Sequence, residues 1–267
     1  MSEYHSESLH LPNPAGGQLY AYLSHSGERS RVSTPSNWAI VYVHGFASNS
    51  SGEKAKVVEA ACAHRGWTYA AFDFRGHGQS TGTLLDLRGS ALLDDLDVVR
   101  SWLASHGVQR LCLYGYSMGG WASAWYALRR PEAVVACALV APAFRFPRSR
   151  WDSLSEAERR QWRGTGRLRV RNQWIDVEIG AGILDEIDQF PVSELAARLA
   201  RPLLIFHGLR DDTVPYSHSL EFTETARHPA IELRLYRDGD HRLLAYKEEM
   251  ADAACGFFEK AMSEPEA

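Results

Sequence analysis

Leu113-Tyr114-Gly115-Tyr116-Ser117-Met118-Gly119-Gly120-Trp121 is the stretch on which the fold turns. An apolar run from Arg110 to Tyr114 enters it, and an amphipathic run from Met118 to Arg129 leaves it. The flanks predict a strand before the serine and a helix after it. A sharp strand-to-helix turn forces such a serine into a strained backbone conformation and lifts its hydroxyl clear of the sheet edge. The residues two before and two after crowd one another at the turn, which explains Gly115 and Gly119. The following helix aims its free N–H groups and positive dipole end at whatever happens on Ser117.

The rest of the chain suits a single large α/β domain. It has 267 residues, 45% of them apolar and 23% charged, the balance of an ordinary globular protein. A net charge of −4 gives no footing for nucleic acid or an anionic membrane surface. The segment from Met1 to His10 is polar and acidic, without the basic-then-apolar pattern of a secretory signal, and no apolar run has the length of a membrane span. Cys62, Cys112, Cys137 and Cys255 are scattered without metal-ligand spacing and read as small core residues of a reducing compartment. Together these features point to the cytoplasm.

Taken in order, Glu7 to Pro12 and Gln18 to Ser24 read as two strands joined by the turn Asn13-Pro14-Ala15-Gly16-Gly17. A Ser-rich loop from Gly27 to Asn37 precedes a buried strand, Trp38 to Val43, which ends in His44-Gly45-Phe46-Ala47-Ser48. A helix from Glu53 to Arg65 and a strand from Trp67 to Phe72 follow, the strand ending in Asp73-Phe74-Arg75-Gly76-His77-Gly78. Leu92, Leu93, Leu96, Val99, Trp102 and Leu103 fall on one helical face. After the serine turn comes a strand from Val134 to Val140. This alternation predicts a mostly parallel, doubly wound sheet with helices on both faces.

The alternation breaks between Pro142 and Arg201, so residues 1–141 and 202–267 read as two parts of one core and 142–201 as an inserted cap. Within the insertion the sequence predicts a helix near Ser155 to Trp162 and a hairpin from Arg167 to Ile179. Its large aromatics, Phe144, Phe146, Trp151, Trp162, Trp174 and Phe190, suit either an apolar slot or the insertion's own core. Nine arginines between Arg145 and Arg171 suit either steering of an anionic substrate or a solvated face. The core pattern resumes with a strand from Pro202 to Phe206, a helix from Tyr216, a strand from Ile231 to Tyr236 and a last helix through Lys260.

With these motifs in place, the chain resembles the α/β-hydrolase superfamily, in particular its serine esterase and thioesterase branch with a modest cap. Besides the serine turn, the resemblance rests on His44-Gly45-Phe46, on Asp73-x-Arg75-Gly76-His77-Gly78, on His207-Gly208-Leu209-Arg210-Asp211-Asp212-Thr213-Val214-Pro215 and on Asp238-Gly239-Asp240-His241. Serine, then aspartate, then histidine is the chain order of this fold. The resemblance implies Ser117 as nucleophile, His241 as its base and Asp211 as the carboxylate that orients the imidazole, with the adjacent Asp212 as rival for that last role. It also implies the backbone N–H groups of Phe46 and Met118 as the pair facing a developing oxyanion. His44, His77, His207 and Arg75 read as structural residues of strand-end turns. No cofactor and no metal is expected.

The implied reaction is hydrolysis of a small-molecule carboxylic ester with a short, medium or aromatic acyl group, through an acyl-enzyme. The same machinery serves an acyl thioesterase, acting on acyl-protein or acyl-CoA, and it serves carbon–carbon bond hydrolysis. A proline-directed aminopeptidase needs acids for the substrate amine, for which Glu156, Glu158 and Asp185 are available. A non-catalytic ligand-binding protein on the same fold is the alternative from a different class, since fold alone does not establish function.

Overall fold

The computed structural model describes residues 4–26 and 37–263. The loop expected between Gly27 and Asn37 therefore lies outside the described residues, except for Asn37. Among the described residues, strands β1 (Tyr4–Pro12), β2 (Gln18–Ser26), β3 (Trp38–Val43), β4 (Tyr69–Phe72), β5 (Arg110–Tyr116), β6 (Val134–Val140), β9 (Leu203–Gly208) and β10 (Ile231–Tyr236) form one sheet. Its order is β1-β2-β4-β3-β5-β6-β9-β10. Only β1 with β2 and β2 with β4 pair antiparallel. A second, two-stranded sheet is the hairpin β7 (Arg167–Arg171) and β8 (Asp176–Gly180).

Burial explains the strand sequences. β3, β6 and β9 are buried at every position, the continuous apolar run of a strand covered on both faces. β2 lies toward one edge and buries Leu19, Ala21 and Leu23 in alternation. β4 begins at Tyr69 rather than Trp67. The reason is local: Gly66 ends helix α1 (Glu53–Arg65) in the left-handed region, φ 69°, and the Trp67 N–H goes back to the Cys62 carbonyl.

Helices α1 and α8 (Lys247–Ser263) cover one face, through Val58, Cys62, Met250, Ala254 and Phe258. Helices α2 (Gly89–Ser105) and α3 (Met118–Arg129) cover the other, where Leu92, Leu96, Trp121 and Tyr126 pack. Residues 142–201 add α4 (Arg148–Asp152), α5 (Glu156–Thr165), the β7–β8 hairpin and α6 (Val192–Arg198) to that second face. Helix α5 starts on a capping box, with Ser155 accepting from the Glu158 N–H and the Glu158 carboxylate accepting from the Ser155 N–H. α6, seven residues long, is too short for the periodicity of its sequence to announce it. Helix α7 (Ser217–Thr225) follows β9. No helix among the described residues is long and apolar enough to cross a membrane.

The chain order reverses between β3 and β5: β3 has β4 on one side and β5 on the other. The loops leaving these two strands consequently part above the sheet and open a crevice at its C-terminal edge.

Candidate active site

Ser117 sits between β5 and α3 at φ 51°, ψ −113°, a conformation that side-chain-bearing residues rarely adopt. Its own N–H donates to Val140 O on the neighbouring strand at 2.9 Å, which anchors the turn. A Cβ on Gly115 would stand 2.5 Å from Ser123 Oγ and 2.6 Å from the Gly119 carbonyl. One on Gly119 would stand 2.1 Å from the Val43 carbonyl. Both glycines are therefore steric requirements of the turn.

The loops after β5, β9 and β10 bring three side chains together. His241 Nε2 lies 3.1 Å from Ser117 Oγ, and His241 Nδ1 lies 2.7 Å from Asp211 Oδ2. An Nδ1–H donated to the carboxylate leaves Nε2 as the acceptor for the serine hydroxyl. The Asp211 side chain is fully buried, and its Oδ1 accepts from the N–H groups of Thr213 and Val214 at 2.9 and 2.8 Å. Burial pushes this carboxyl up, but the donors on it, led by His207 and His241, outweigh burial and hold it well below the usual carboxylate range. Asp212 instead is exposed and bonds Thr213 Oγ1 at 3.1 Å.

His207 is the residue whose part the sequence understated. Its Nε2 faces two acceptors, Asp211 Oδ2 at 3.1 Å and Val214 O at 2.9 Å, so this nitrogen carries the hydrogen. Its Nδ1, 2.7 Å from Ser219 Oγ, then accepts from that hydroxyl. The His-Gly-x-x-Asp spacing in His207 to Asp211 was the available signal.

The histidine loop is pinned from below and within. The Tyr116 hydroxyl donates to the carbonyls of His241, at 2.7 Å, and Arg242. Asp240 Oδ1 accepts from the N–H groups of Arg242 and Leu243 at 3.0 and 2.8 Å. After β3, Gly45 packs so closely on the serine turn that a Cβ there would lie 3.1 Å from the Tyr116 carbonyl. Phe46, the next residue, lines the crevice, and Met118 is the first residue of α3.

The remaining motif residues are structural. Buried His44 donates from Nδ1 to Gly45 O and accepts the Phe74 N–H on Nε2; burial pushes its imidazole down to about 3. Asp73 accepts from the N–H groups of Ser50 and Gln79. Arg75 pairs with the buried Asp95 at 2.6 Å.

Ser117 and His241 open into a cavity of about 530 Å³, also lined by Phe46, Lys54, Trp174 and Arg242. Among the six aromatics singled out above, Trp174 alone lines it. Phe144 stacks on Phe222, Phe146 and Phe190 pack edge-on against Trp121, and Trp162 is buried beside Trp151. None of the nine arginines lines the cavity. Arg145, Arg148, Arg160, Arg167, Arg169 and Arg171 pair with surface acids, and Arg159 and Arg163 lie over the Trp151 ring. Glu156, Glu158 and Asp185 also lie outside it. Two of the charges that do face it, Lys54 and Arg242, were not singled out by the sequence.

Comparison with known proteins agrees with this architecture. The sequence model of the family described as serine aminopeptidase, S33, matches residues 34–173, just over half of the chain. The mouse mitochondrial palmitoyl-protein thioesterase ABHD10 is 26% identical over 220 residues, spanning 81% of this chain and 72% of that protein. A putative hydrolase from Agrobacterium vitis superposes with a TM-score of 0.81 at 22% identity, over 98% of this chain and all (100%) of the other. Est1E from Butyrivibrio proteoclasticus, solved with ferulic acid, gives 0.76 at 20% identity, over 96% of this chain and 100% of that one. At these identities the two structures speak for the fold.

Proposed function

The chain belongs to the α/β-hydrolase family described as serine aminopeptidase, S33, and from that premise we propose that it cleaves carboxylic esters by way of an acyl-enzyme. The observation that carries the proposal is the relay from Ser117 Oγ through His241 to the buried Asp211, at 3.1 and 2.7 Å, on the wall of a cavity. Ser117 Oγ attacks the acyl carbonyl while His241 Nε2 takes its proton. Asp211 holds the imidazole in one tautomer and stabilises it once charged. The N–H groups of Phe46 and Met118 receive the tetrahedral oxyanion. His241 then returns the proton to the departing oxygen, which leaves the acyl group on Ser117. Water, deprotonated by the same imidazole, releases the acid and restores the serine.

In this reading residues 142–201 are a cap on a core made of 1–141 and 202–267. The acyl group is short, medium or aromatic, since Phe144, Phe146 and Phe190 of the insertion are spent on packing against Phe222 and Trp121 of the core rather than on lining a long slot. A thioester substrate is the second reading, favoured by the likeness to the mouse thioesterase. Four free, buried cysteines support a cytoplasmic setting. The test is intact-mass spectrometry after exposure to a fluorophosphonate probe. We expect a single adduct that is absent from Ser117→Ala. An unmodified wild-type protein of native circular dichroism would overturn the proposal and favour a ligand-binding role.

A further inference from the structure

Lys54 occupies an expensive position. It stands in the first turn of α1, the positive end of the helix dipole and the least favourable place for a cation. It is half-buried and lines the cavity that holds Ser117. Its ammonium lies 3.1 Å from the centroid of the Tyr116 ring, and Tyr116 precedes the serine. The ring stabilises the charge on one side. Among the described residues, however, no carboxylate lies within ion-pair distance of Nζ and no oxygen accepts its N–H groups.

The neighbouring charges do not supply that partner. On α1 itself, Glu53 is taken by Lys247 at 2.6 Å. On the histidine loop, Asp240 turns to the backbone of Arg242 and Leu243, and the Arg242 guanidinium lies over Trp174 at 4.6 Å. On the loop after β9, Arg210 pairs with Asp238, and Asp212 is exposed. Glu53 and Asp240 are exposed as well, so water screens every other carboxylate of the lining, while Lys54 stands deeper. Burial, with the charge of Arg242, outweighs the weaker pull of Asp240 and pushes the Lys54 ammonium down to about 7. A cation kept at such cost, with free donors facing a cavity, is completed by an anion.

We propose that Lys54 is an anion subsite beside the reactive serine, and that the substrates are esters or thioesters carrying a carboxylate or phosphate group that binds its ammonium. This rests on the hydrolase reading above and narrows its substrate class. Lys54 makes no bond to the reacting carbonyl in this scheme; it selects and places the substrate.

Two matched pairs of esters test it: 4-carboxyphenyl against 4-carbamoylphenyl butyrate, and 4-nitrophenyl adipate against its methyl ester. The first pair puts the charge on the leaving group and the second on the acyl group; 4-phosphonophenyl butyrate distinguishes phosphate from carboxylate chemistry. In at least one pair, the charged-to-neutral ratio of kcat/KM should fall at least about tenfold in Lys54→Met and be largely kept in Lys54→Arg. The KM of the preferred charged ester should also rise above about pH 7, as the ammonium deprotonates, beyond any rise for its neutral partner. A ratio equal in wild type and Lys54→Met in both pairs would overturn the subsite. Calorimetric titration of the charged esters into Ser117→Ala, with and without Lys54→Met, tests binding apart from turnover. Binding that depends on Lys54 without wild-type turnover would sink the hydrolase reading alone; binding indifferent to Lys54 would sink the subsite alone.

Discussion

The carboxylate of Asp211 is shared by two imidazoles, and that sharing separates it from the aspartate beside it. Oδ2 faces His241 at 2.7 Å and His207 at 3.1 Å, and two backbone N–H groups hold Oδ1. Four donors converge on a group with no exposed side-chain surface, so its orientation has no freedom left. We expect Asp211→Asn to lose about 10³–10⁴ in kcat and Asp212→Asn no more than about threefold, because the amide favours the wrong imidazole tautomer only at the first position. His207→Phe, which removes one donor from Oδ2, should fall between at about ten- to a hundredfold, with His207→Gln recovering part of the loss. Ester turnover of the four variants gives the ranking. Equal effects at Asp211 and Asp212 would remove the tautomer argument.

At the scale of elements, the tip of the β7–β8 hairpin shapes the cavity. Asn172 Oδ1 accepts from the N–H groups of Trp174 and Ile175 at 2.8 and 3.0 Å, which sets the turn without help from the core. Trp174 is 61% exposed and meets the histidine loop through Arg242. Because this contact touches substrate space but not the reacting atoms, Trp174→Ala should raise KM about three- to tenfold and change kcat less. A loss confined to kcat would place the ring in the chemistry. The arginines of the same segment do not share this position. Their ion pairs are exposed and solvated, so they add little to stability.

Across the whole molecule, the doubly wound sheet collects at one edge what the chain separates by more than a hundred residues, and we expect a single lysine in that crevice to affect global stability. Lys54 has its folded-state value lowered to about 7 from an ordinary value of 10.5. Its penalty is fully present below pH 7 and disappears as pH rises toward the unfolded value. Lys54→Met should therefore raise the melting temperature by a few degrees at pH 6, with the difference from wild type shrinking by pH 9. A difference independent of pH would mean that the charge is not what the fold bears. The α/β-hydrolase architecture was legible in the sequence because each of its signals is local. Buried parallel strands read as apolar runs, and the crowded turn at Ser117 requires glycines in fixed places. The positions of Ser117, Asp211 and His241 at three strand ends were legible for the same reason. The His207 contact, the cavity faces of Lys54, Trp174 and Arg242, and the fate of the aromatics were not. Each depends on side chains from separate elements meeting in space, and periodicity along one element carries no information about which neighbour covers its other side.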